Sequence, residues 1–232
     1  MPESLGEAVQ FVWASDASLL VSFGERISAE TNERVRRLLR LLEAEPIAGL
    51  RNVHPAYCSL LIVFDALRMR HAELQERVTE YLERAETAEV PEPREIEIPV
   101  CYGGEFGPDL EEVAALHELT ARQVIEAHCS RSYRVYFLGF VPGFAYLGEL
   151  PRELVTPRLG APRKKVAPGS VAIAGHQTGV YPFATPGGWR LLGRTPVRMF
   201  QAEREGLSLV SIGDRVRFRP ISQERFAELE RG

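Results

Sequence analysis

The sequence predicts an α+β chain in two parts: a small N-terminal α/β domain, then a β-rich domain built on a closed or sandwiched sheet. Three observations carry this. Two amphipathic helical patterns interleave with four short apolar runs before residue 87. A polar stretch bearing Pro91 and Pro93, Thr87 to Arg94, then breaks the pattern. Beyond Ser132, short strand-like runs separated by Gly/Pro turns dominate. The first domain is accordingly placed at 1–88 and the second at 95–232, with a link at about 87–94.

Taken in order, residues 8–13 and 18–23 read as two strands joined by a turn at Ser15, Asp16 and Ala17. Ser28 precedes a helix whose Val35, Leu38, Leu39 and Leu42 fall on one face. Arg34, Arg36, Arg37 and Arg40 fill the remaining surface and read as a solvated face. Pro46 and Gly49 end that helix. Leu50–Val53 and Cys58–Phe64 are strands; the near-continuous apolar run 59–64 predicts burial on both faces. A second helix follows, with Leu74, Val78, Tyr81, Leu82 and Ala85 on one side.

Ile96–Val100 opens the second part as a strand. A glycine-rich loop, Tyr102 to Gly107, leads to Pro108, which suits a helix's first turn, with Asp109 and Glu111 at its positive end. Thr120 and Gln123 form a capping-box pair for a helix through Val124, Ile125 and His128. Strands are expected at 133–138, 171–174, 189–192, 197–200, 207–211 and 214–219.

Composition excludes several classes. The chain has 232 residues, 45% hydrophobic and 26% charged, with net charge −4, which fits a soluble globule and gives no global pull toward nucleic acid. Cys58, Cys101 and Cys129 are widely spaced, with no CxxC or Cys/His ligand spacing, so no metal is expected and a reducing cytoplasm is. The longest apolar run, Val135–Leu147, is broken by Gly139, Pro142 and Gly143 and falls short of the ~20 residues that span a bilayer. There is no GxSxG, HExxH, GxGxxG or P-loop pattern.

The stretch from Phe137 to Phe200 stands apart. It holds 10 of the 19 glycines and 8 of the 16 prolines, so it reads as loop-built. From Leu154 to Ala202 there is no acidic residue, while Arg158, Arg163, Lys164, Lys165, Arg190, Arg194 and Arg198 are basic. That combination suits an anion. Arg163 and Arg194 are candidates for clamping a carboxylate or phosphate. His176, Gln177, Thr178 and Tyr181, around Gly175 and Gly179, are candidates for orienting a small polar molecule. The same stretch also reads as an ordered β loop whose polar groups bond one another. Glu105, His128 and Tyr146 are secondary candidates, although His117 and His128 read more simply as partly buried structural histidines. No general base is assigned.

Several long motifs resemble a known family: IPVCYGGEFGPDLEEVA, YRVYFLGFVPGFAYLGELP, GSVAIAG followed by QTGVYP, and TPGGWRLLGRTP, with SLLVSFG and VHPAYCSLLIVFD in the first part. They are similar to the KipI / PxpB family of 5-oxoprolinase B subunits, also called allophanate hydrolase subunit 1, and to one half of the urea carboxylase carboxyltransferase domain. The resemblance implies a cyclophilin-like β-barrel as the second domain. It implies one subunit of an ATP-dependent 5-oxoprolinase that works with the KipA-like C subunit and the A subunit of that enzyme, with ATP as cosubstrate of the complex. Inhibition of a histidine kinase, or half of a biotin-dependent carboxyltransferase, are the other activities it implies.

Overall fold

The structure is a computed structural model, and it describes residues 8–88 and 91–231. It divides between Glu92 and Pro93 into two compact units. Glu89 and Val90 of the expected link, and residues 1–7 and 232 of the expected domains, lie outside the described residues.

The first unit is a four-stranded antiparallel sheet with two helices. In chain order it runs β1 (Gln10–Ser15), β2 (Ser18–Ser22), α1 (Ala29–Ala44), β3 (Leu50–Pro55), β4 (Ser59–Phe64) and α2 (His71–Ala85), with sheet order β1-β2-β4-β3. Ser28 caps α1, its Oγ accepting from the Thr31 N–H at 3.0 Å. Val35, Leu38, Leu39 and Leu42 are buried as the periodicity predicts. Arg36 departs from the solvated face expected for the arginine run: it is buried and pairs with Glu33 at 2.8 Å. Strand β4 also departs from expectation. Leu60, Ile62 and Phe64 are buried while Ser59, Leu61 and Val63 are only half-covered, so the sheet has one fully covered face. A purely apolar run hides that alternation.

The second unit is a closed barrel. Its elements are β5 (Glu95–Tyr102), α3 (Leu110–Leu116), α4 (Ala121–Cys129), β6 (Tyr133–Leu138), β7 (Ala145–Gly148), a 3-10 turn (Arg152–Leu154), β8 (Arg163–Val166), β9 (Ser170–Ala174), β10 (Gln177–Val180), β11 (Thr185–Gly187), β12 (Arg190–Arg194), β13 (Arg215–Pro220) and α5 (Gln223–Arg231). Seven strands close in the order β10-β7-β6-β13-β5-β12-β9, and β8 and β11 form a separate two-stranded ribbon. Strands β5 and β13 are parallel; the other barrel pairings are antiparallel. Thr120 and Gln123 make the full capping box on α4. The expected strands 197–200 and 207–211 are instead two loop segments joined by one bridge, Phe200 to Ser208. Their apolar residues Met199 and Val210 are buried in the barrel core, which is why they read as strand.

Two apolar clusters share the barrel wall. The inner one fills the barrel with, among others, Val135, Ala145, Leu147, Val171, Ile173, Val180, Leu192 and Phe218. The outer one comprises Phe144, Val166, Ala172, Ala174, Tyr181, Trp189 and Leu191, with Val141 and Tyr146 packed on it. Successive strand residues point to opposite faces. Hence in β9, Val171 and Ile173 face inward while Ala172 and Ala174 face the outer cluster, and all five residues of the strand are buried. The outward positions of β9 are alanines, which leaves room for the aromatic rings above them.

Candidate functional site

The outer cluster floors a cleft of about 290 Å³, lined by Phe140, Phe144, Tyr146, Arg158, Leu159, Pro162, Tyr181, Gly187 and Trp189, among others. Its walls are aromatic. The Phe144 ring meets Tyr146, Tyr181 and Trp189 edge-on at centroid distances of 5.0, 5.3 and 5.4 Å. Tyr146 is stacked from behind by Phe137 at 4.4 Å, with 13° between the planes. Such edge-to-face contacts hold the rings in fixed orientations. Gly187 makes the arrangement possible, because a Cβ there would overlap the Tyr181 hydroxyl and ring. Phe140 stands at the cleft's edge, 59% exposed, with its backbone at φ 69°. A bulky side chain in the left-handed region is strained.

Burial pushes the Tyr146 and Tyr181 hydroxyls above the usual tyrosine range, and the Arg158 guanidinium opposes both shifts. At Tyr181 the Trp189 backbone N–H, hydrogen-bonded to the hydroxyl, opposes it as well. Both phenols are therefore protonated at neutral pH. Arg158 itself is exposed and has no carboxylate partner among the described residues.

Three of the other four arginines of the acid-free stretch are engaged, while Arg198 is exposed and has no carboxylate partner among the described residues. Arg163 Nη2 donates to Asp109 Oδ1 at 2.5 Å, and Asp109 Oδ2 accepts from the Leu191 N–H at 2.7 Å. Asp109 is buried at the start of α3, and its carboxylate joins β8 to β12 instead of capping the helix. Arg190 pairs with Glu112 at 2.6 Å. Arg194 donates to the Pro168 carbonyl, lies 3.7 Å from Glu230 and covers the Phe226 ring. The two arginines singled out from sequence thus hold the barrel's ribbon, loops and last helix, while Arg158 faces the cleft.

The remaining sequence candidates separate. Tyr181 and Tyr146 line the cleft. Thr178 is fully buried, with its Oγ donating to the Ala172 carbonyl at 3.0 Å. That leaves His128 Nε2–H as the donor to Thr178 Oγ at 2.9 Å, and His128 Nδ1 as acceptor of the Tyr102 hydroxyl at 2.7 Å. Burial drops the His128 pKa to about 3, so this chain of bonds holds a neutral imidazole in one tautomer. His117 Nε2 is likewise tied to Thr156 Oγ at 2.8 Å. His176 is exposed in the two-residue reversal between β9 and β10, where Gly175 takes φ 54°. Gln177 is half-buried and paired in register with Ala174 and Gly148. Glu105 is exposed in the turn before α3. Gly179 allows a close approach, but to the Phe144 and Trp189 rings. Phe140, Phe144, Arg158 and Trp189 line the cleft without having been proposed as site residues. Their only sequence signal was membership of the Gly/Pro-rich, acid-free stretch.

The carboxyltransferase domain, subdomain C and D, matches residues 9–210 of the chain. This chain belongs to that family. It is 54% identical over 205 residues to the 5-oxoprolinase B subunit of Escherichia coli O157:H7, across 88% of this chain and 93% of the relative. To the 5-oxoprolinase B subunit of Bacillus subtilis (strain 168) it is 39% identical over 225 residues, across 91% of this chain and 92% of the relative. The crystal structure of the K. lactis urea amidolyase superposes with a TM-score of 0.78 at 19% identity, over 98% of this chain and 16% of that one, a likeness of fold.

Proposed function

We propose that the chain is one subunit of an ATP-dependent 5-oxoprolinase, working with the A and C subunits of that enzyme to open 5-oxo-L-proline to L-glutamate. The observation that carries this reading is the near full-length likeness to relatives named as 5-oxoprolinase B subunits, 54% identical in one case. The cleft is compatible with it: one guanidinium without a carboxylate partner, set among aromatic rings and protonated phenols, suits a small ring bearing a carboxylate. A lactam is an amide and a weak electrophile, and ATP supplies the activation that hydrolysis of such a bond requires. The cleft is not assigned to ATP. It offers one cation where a triphosphate carries about four negative charges, which need several donors and cations to hold them. The contribution assigned to this chain is binding, orientation and exclusion of water. The test is reconstitution with the A and C subunits. ATP hydrolysis should depend on 5-oxoproline and yield glutamate in equal amount; ATP consumption indifferent to 5-oxoproline would sink the reading.

A further inference from the structure

We propose that the aromatic cleft is the subsite for the lactam carboxylate, with Arg158 holding its carboxylate group and the aromatic wall of Tyr146, Tyr181 and Trp189 against its ring. This deepens the function proposed above and rests on it for the identity of the ligand. Four observations converge. The first is charge. Within the acid-free stretch Arg163, Arg190 and Arg194 each have a carboxylate partner brought from elsewhere in the barrel unit, Asp109, Glu112 and Glu230. Arg158 lines the cleft with no such partner among the described residues, so its fork of donors is open to an anion from solution. The second is size. A cleft of about 290 Å³ takes a ligand of about nine non-hydrogen atoms, the size of a five-membered lactam carboxylate.

The third is the chemistry of the walls. The lactam ring is small and flat, and Tyr146, Trp189 and Phe144 present ring faces and edges to it. The Tyr181 hydroxyl, its pKa raised by burial, keeps a proton at neutral pH that it can donate to a ligand oxygen. The fourth is the mouth. Phe140 keeps φ 69° while 59% exposed, with its ring edge-on to Phe144 at 5.5 Å and to Tyr181 at 6.5 Å. A strained aromatic held at the rim of a cleft is placed to cover a ligand and exclude water.

The experiment has two arms. In the complex reconstituted with the A and C subunits, Arg158→Met should raise KM for 5-oxoproline by about ten-fold or more while KM for ATP stays within about two-fold; Arg158→Lys should recover part of the loss. An unchanged KM for 5-oxoproline overturns the assignment. In the second arm the full chain carries Trp13→Phe, which leaves Trp189 as the only tryptophan. Its emission is followed on titration with 5-oxo-L-proline, pyrrolidin-2-one and ATP. A saturable change with 5-oxoproline, far weaker for the ring lacking the carboxylate and lost in Arg158→Met, supports the proposal. No change up to the solubility limit of 5-oxoproline, or a change with ATP alone, overturns it. Should the wild-type complex not consume 5-oxoproline, the proposed function falls, and the Trp189 titration still decides whether the cleft takes this class of ligand.

Discussion

The two faces of the barrel wall are built from the same strands and behave differently. The inward residues of β7 and β9, Ala145, Leu147, Val171 and Ile173, are sealed in an aliphatic core with 0% exposure. The outward residues of the same strands meet a loose roof, the β8/β11 ribbon and the 139–144 and 181–189 loops, and leave a cleft instead of a second sealed layer. Inside, branched aliphatics interdigitate and fill space. Outside, large flat rings touch edge to face, and the angles between them leave volume unfilled. Polar groups follow the same division. The buried polar chain Tyr102–His128–Thr178 is closed, each group satisfied, whereas the outer face keeps the Arg158 guanidinium open. One strand can thus serve stability on one side and binding on the other.

The sharpest way to break this contrast is to open a paired charge. Arg163→Met strips the cation from buried Asp109 and is expected to cost about 3–5 kcal/mol, measured as a fall in the denaturant midpoint of the chain. The same change at Arg158 should alter stability by less than about 0.5 kcal/mol. Equal costs would mean that the two arginines do not differ as described. Next in size is truncation of the cleft floor. Phe144→Ala should cost about 3 kcal/mol and also weaken 5-oxoproline binding, whereas Ile173→Val, on the inner face, should cost about 1 kcal/mol and leave binding unchanged.

Acid sharpens the comparison from the inside. The folded His128 pKa, about 3, lies below the unfolded value near 6.5, so the unfolded chain binds the extra proton between those limits. Its contribution is fully present above pH 6.5 and is lost as pH falls toward 3. Between pH 6.5 and 5 the loss should be about 2 kcal/mol, seen as a falling urea midpoint. A His128→Gln chain, less stable at neutral pH, should show a correspondingly flatter fall over that range; the same slope in both would remove the burial argument. The smallest stability effect is expected at the rim. Phe140→Gly relieves the left-handed strain and loses few contacts, so stability should stay within about 0.5 kcal/mol, while 5-oxoproline binding weakens.

Much of the architecture was legible because it depends on local pattern. Val35, Leu38, Leu39 and Leu42 announce α1, Thr120 and Gln123 announce the cap of α4, and the Gly/Pro-rich stretch supplies the lining of the aromatic cleft. The cleft's composition was legible in part. Tyr146 and Tyr181, candidates from sequence, line the cleft, whereas the candidate arginines Arg163 and Arg194 meet Asp109 and Glu230 and it is Arg158 that lines it. A sequence pattern cannot say which cation will find a carboxylate. Asp109, the partner of Arg163, lies 54 residues away.

Sequence alone determined the two-part α+β plan, the capped amphipathic helices, the family and the stretch that carries the cleft, because periodicity, capping and long motifs are written in neighbouring residues. Tertiary structure alone decided which face of β9 is core and which is cleft floor, that Thr178 and His128 close on each other in the interior, and that Arg158 faces the cleft with no carboxylate partner among the described residues. Those outcomes depend on barrel closure. Closure brings His128 to Thr178, Asp109 to Arg163, and Arg158 and Trp189 to one cleft, across distances that no local pattern spans, and the burial it creates fixes which polar groups must pair.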